Sequence, residues 1–152
     1  MTDVRVTADA NLLASGALRM RPDAAPVRFI DTWHARHFTL ILSDHLLDEV
    51  DHTLANRYFM QRLIAADRDA FRHLLRRQAV ITPITVPVVG VATHPEDDLT
   101  LATAVSGQAH FLVTGDHKLL ELKTYQGVII VSVHAFLALL PGLEGPPDTT
   151  TR

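Results

Sequence analysis

Asp9 and Asp116 are the acids whose positions ask for a chemical explanation, because each follows a short apolar run, Val4 to Ala8 and His110 to Thr114. Solvation does not readily account for a carboxylate at the end of a buried strand. Asp98 lies in the first turn of a segment opened by Pro95, beside Glu96 and Asp97, where the helix dipole alone also favours acids. Glu49 belongs to Asp48-Glu49-Val50-Asp51, a stretch in which only some of the acids can face inward. On a helical wheel whose buried stripe is Leu46, Leu47, Val50 and Leu54, Asp48 points away while Glu49 and Asp51 flank the stripe. Asp97 and Asp98 both lean toward Leu101. The wheel therefore leaves Glu49 against Asp51, and Asp97 against Asp98, open.

Carboxylates brought close together repel and raise one another's pKa. Mg²⁺ or Mn²⁺ relieves that repulsion, since these hard cations take carboxylate and water ligands and leave room for a substrate phosphate. Two such ions about 4 Å apart generate a hydroxide and stabilise the leaving oxygen of an in-line displacement at phosphorus. Converged acids in this chain would serve that chemistry.

Convergence requires elements that carry distant residues to one edge. Val4 to Ala8 reads as a buried strand feeding a loop, Ala24 to His37 as a helix, and Phe38 to Leu42 as a second strand, with Ser43 as the cap of the next helix. Amphipathic helices follow from Asp44 to Asn56 and from Asp67 to Ala79. Val80 to Val91, interrupted by Pro83 and Pro87, reads as a third strand with irregular ends. A helix from Pro95 to Ser106 stops at Gly107, then come strand His110 to Thr114, a short helix to Lys123, strand Val128 to Val131 and a final helix from Ser132 to Leu140. Alternating strands and helices imply a parallel sheet wrapped by helices, in which ligands bind beyond the carboxyl ends of the strands.

The 152 residues, 47% of them hydrophobic, suffice for a single domain over 1–140. The Gly-, Pro- and Thr-rich tail at 141–152 is expected to be disordered. There is neither a run of ~18 apolar residues nor a basic segment leading into an apolar one, so a soluble, cytoplasmic protein with no membrane contact is expected. The chain has no cysteine, which removes disulfides, thiolate metal sites and cysteine nucleophiles. A net charge of −3 argues against coating nucleic acid by charge alone, although metal ions bound to an acidic cluster reverse the sign locally.

Val6-Thr7-Ala8-Asp9-Ala10-Asn11-Leu12-Leu13-Ala14-Ser15 resembles the opening motif of PIN domains, a strand followed by Asp-x-Asn, an apolar pair and a small residue. Ser43 through Leu54 resembles the segment carrying that family's second acid, which favours Glu49. Pro95 to Ala104, and Ala109 through Gly115-Asp116 to Leu120, resemble its third and fourth acid motifs. The resemblance spans Val4 to Leu140. It implies a three-layer α/β/α fold with a mainly parallel, roughly five-stranded sheet. It also implies Mg²⁺- or Mn²⁺-dependent endoribonuclease activity at Asp9, Glu49, Asp98 and Asp116, with Asp97 in reserve as the third acid. Asn11 and Thr114 would orient these ligands by hydrogen bonds. The nearest subgroup is the toxins of prokaryotic toxin-antitoxin pairs, which implies RNA as substrate, an antitoxin partner and homodimerisation. His94 departs from the pattern, standing where that subgroup often has an Asp.

Arg19 and Lys118 are the candidate RNA phosphate contacts. Arg68, Arg72 and Arg76 line one helix face, read as solvated rather than as an RNA contact. His34 and His37 lack the companions a zinc site needs, and the histidines as a group are read as surface or structural residues. Two rival readings remain. One is a catalytically idle PIN fold that binds RNA or a partner; the other is a phosphotransfer domain with Asp9 as nucleophile.

Overall fold

The computed structural model describes residues 3–144. Its centre is a sheet of order β3-β2-β1-β4-β6-β5, comprising β1 (Arg5–Ala8), β2 (Thr39–Leu42), β3 (Val80–Ile81), β4 (Phe111–Val113), β5 (Thr124–Tyr125) and β6 (Val128–Val131). All neighbours pair in parallel except β5, which runs antiparallel to β6. β5 is the strand the sequence reading lacks. It forms because Gln126 and Gly127, both with positive φ, turn the chain back onto β6.

The strands alternate between two apolar layers, as the period of a strand requires. Leu40, Leu42, Phe111 and Val113 join one core cluster, while Ile41 and Leu112 point into the other. The first cluster takes α1 (Ala10–Ala17), α2 (Ala25–His34), α3 (Asp44–Leu54), α4 (Arg57–Met60), α5 (Ala65–Gln78) and α8 (Val133–Leu143). Within it Phe29, Phe38, Phe111 and Phe136 pack ring against ring, with centroids 5.0 Å apart for Phe29 and Phe38 and 5.6 Å for Phe111 and Phe136. The opposite cluster takes α6 (Pro95–Ser106) and α7 (His117–Leu122). The result is the three-layer arrangement expected of alternating strands and helices.

Several local expectations change. The stretch after β1 is α1 rather than a loop, because Asp9 caps it by accepting the Leu12 N–H at 2.8 Å. Gly16 lets α1 lie against α2, since a Cβ there would sit 2.8 Å from the Pro26 carbonyl oxygen. The third strand is confined to Val80–Ile81, the prolines beyond it removing ladder donors. The last helix continues through Pro141 to Leu143, so residues 141–143 are not part of a disordered tail; the remainder of that expectation, 145–152, lies outside the described residues.

Sheet order positions the site. β2 and β3 extend to one side of β1, and β4, β6 and β5 to the other. The reversal between β1 and β4 opens a crevice at their carboxyl ends, where doubly wound sheets bind ligands.

Candidate active site

Asp9 leaves the carboxyl end of β1 and Asp116 leaves that of β4. A single residue joins them. Thr114, 1% exposed, donates its hydroxyl proton to Asp9 Oδ2 and accepts the Asp116 N–H on the same oxygen at 3.0 Å. Asp9 Oδ1 is taken by the Leu12 N–H. Asp116 caps α7, its Oδ1 accepting the N–H groups of Lys118 and Leu119 at 2.8 and 3.2 Å.

A cleft of about 610 Å³ lies over this pair, lined also by Asn11, Glu49, Glu96, Asp97, Ser132 and His134. Asp9, Glu49 and Asp116 are thereby brought together as expected from sequence, with Asn11 and Thr114 beside them. The choice between Glu49 and Asp51 is made by α5, since Asp51 turns to Arg72 at 2.8 Å and to Arg76 at 3.5 Å. That pairing also accounts for two of the arginines on the α5 face.

Asp98 is a correction. It is 7% exposed and does not line the cleft. Oδ2 accepts the Gly90 N–H at 2.9 Å, while Oδ1 accepts those of Val91 and Ala92 at 3.1 and 2.6 Å. Its charge is consumed in closing the loop that precedes α6. Asp97 faces the cleft instead, as do Glu96 and Thr100, a turn apart on α6. Glu96 is no site candidate in the sequence, since its place in the first turn of α6 is explained by the helix dipole alone.

Neither candidate phosphate contact reaches the cleft. Arg19 is held by both oxygens of Asp31 at 2.9 and 3.0 Å and borders a separate apolar depression, and Lys118 lies outside the cleft lining. His94 is the exposed N-cap residue of α6 and does not line the cleft. His34 meets Gln78 and His37 meets Glu144, contacts of a structural kind. His117 and His134, by contrast, do line the cleft.

The electrostatics record the crowding. Burial pushes the Asp9 carboxyl above its ordinary value of 3.8; hydrogen bonds from Thr114, Leu12 and Gly115 oppose this, and the charge of Asp116 adds to it. Asp97 is raised by burial and then by Asp116, with His94 opposing and Asp9 and Glu96 contributing further. A divalent cation would offset both the burial of these carboxylates and their smaller mutual repulsion. Among the described residues, no three acids or histidines stand close enough to form a ready-made ligand group.

Among the described residues no helix is long and apolar enough to cross a membrane. No curated protein matches this chain. A family model described as PIN domain matches residues 5–118. That span holds β1, β4 and every acid lining the cleft, so the chain belongs to the PIN-domain family, whose members are generally nucleases.

Proposed function

We propose that this protein is a Mg²⁺- or Mn²⁺-dependent endoribonuclease, acting as the toxin of a toxin-antitoxin pair in the cytoplasm. The observation that carries the reading is the Asp9–Thr114–Asp116 connection at the switch point of the sheet, with Glu49 and Asp97 facing the same cleft. PIN domains typically use divalent metals. Asp9, Glu49, Asp97 and Asp116 are the residues assigned to hold the ion, directly or through water, and Asp98 is not among them. When bound, the ion supplies an activated water and neutralises charge developing on the phosphate.

The protein's own groups have distinct tasks. Thr114 fixes the rotamer of Asp9 so that its carboxylate keeps a constant direction into the cleft. The helix starts of α1 and α7 hold Asp9 and Asp116 through capping bonds, which limits how far either acid can turn. Each Asp9 oxygen accepts one hydrogen bond and keeps a lone pair for the ion or its water.

Cleavage of a labelled RNA in Mn²⁺ or Mg²⁺, with and without EDTA, tests the reading. Metal-dependent cleavage that disappears in Asp116→Asn supports it, whereas an inert wild type with intact RNA binding would favour the idle, partner-binding alternative. The antitoxin and homodimer assignments rest on the subgroup resemblance. Copurification with the product of an adjacent small reading frame, and the mass of the purified protein in solution, test them separately.

A further inference from the structure

The chemistry of the cleft is one-sided. Carboxylates enter it from the ends of β1 and β4, from α3 and from α6, and among the described residues no lysine or arginine lines it. Yet a nucleic acid strand carries a negative charge at every phosphate. Metal ions offset that charge only at the reacting group, so neighbouring phosphates require donors from the protein.

Of the five hydroxyl side chains of the lining, three are already spent, and Ser15 lies on α1, the helix that Asp9 caps, on the side of the acids. Thr53 donates to the Glu49 carbonyl at 2.8 Å, Thr100 to the Glu96 carbonyl at 3.1 Å, and Thr114 to Asp9. The wall formed by β6 and α8 is different, for it contributes Ser132, Val133 and His134 and no carboxylate. Ser132 Oγ accepts the Ala135 N–H at 3.1 Å, which leaves its own proton for a ligand. His134 is exposed on the first turn of α8, and its imidazole has an N–H donor whether neutral or protonated.

We propose that Ser132 and His134 form the wall against which the substrate strand runs, donating hydrogen bonds to a phosphate adjacent to the one that is cut. The proposal rests on the nuclease reading above and adds to it the path of the RNA. It assigns the contact role to the β6 and α8 side of the cleft, in place of Arg19 and Lys118.

His134 is the residue to vary, because Ser132 also caps α8. His134→Ala should raise KM for single-stranded RNA about tenfold, the worth of one charge-assisted hydrogen bond, with kcat and the calorimetric affinity for Mn²⁺ unchanged. His134→Gln, which retains an N–H donor, should recover most of the loss, and His134→Glu should deepen it. An unaltered KM in His134→Ala, or a fall in Mn²⁺ affinity in its place, overturns the assignment while leaving nuclease activity established. A wild-type protein that neither binds nor cuts RNA in Mn²⁺ removes the nuclease reading and this assignment together.

Discussion

Thr114 and Asp9 are separated by 105 positions in the chain and joined by a hydrogen bond, with the same threonine oxygen receiving the Asp116 N–H. One buried hydroxyl therefore sets the relative placement of the two strand-end acids. Thr114→Val keeps the shape and removes the hydroxyl, leaving part-buried polar groups without a partner. It should lower kcat for RNA cleavage about tenfold and cost about 1–3 kcal/mol of stability. Thr114→Ser should restore both, as read by steady-state kinetics and urea denaturation.

Asp97 and Asp98 are neighbours with opposite duties, and their variants should separate. Asp97→Asn is expected to abolish metal-dependent cleavage with little change in the unfolding midpoint. Asp98→Ala strips three backbone N–H groups of their acceptor and should cost about 3 kcal/mol. Should Asp98→Ala prove as stable as wild type, the loop-closing role is wrong.

Stability of the metal-free protein should decline as pH rises from the ordinary carboxyl value. Asp9 and Asp97 have folded-state pKa values above 3.8, so over that window the folded state binds more protons than the unfolded one. The slope of unfolding free energy against pH is then negative for these groups, and their stability contribution, present at low pH, is lost as pH passes their raised values. Mn²⁺ should flatten the decline, and so should Asp9→Asn without metal. Guanidinium titrations across the acid range provide the measurement.

Asp51 faces α5 and not the cleft. Asp51→Asn should leave RNA cleavage unchanged and shift stability by no more than about 1 kcal/mol, as suits a partly exposed ion pair. A large loss of activity would place α3 in a different rotation.

Much of this protein is written locally. The alternation of Leu40, Ile41 and Leu42, the capping Ser43, and the acids that close apolar strands follow from short-range pattern, and these pointed to the parallel sheet and to Asp9 and Asp116, whereas Glu49 was preferred to Asp51 only through the resemblance to PIN motifs. Even α1, where the sequence reads as a loop, carries a local sign, the N-cap Asp9 three residues before the buried Leu12.

Other features depend on what packs opposite. A helical wheel ranks distance from the apolar stripe, and both Asp97 and Asp98 sit near it. Only the return of residues 90–92 over α6 turns one into a buried anchor and leaves the other facing the cleft. Likewise α5 draws Asp51 away from the cleft, and Asp31 occupies Arg19. The sequence by itself determined the strands β1, β2, β4 and β6 and where acids cluster along the chain, because those signals act over a few residues. Which carboxylate enters the cleft, and which wall is free of them, was decided by tertiary structure, because charge and hydrogen-bond partners come from segments tens of residues away.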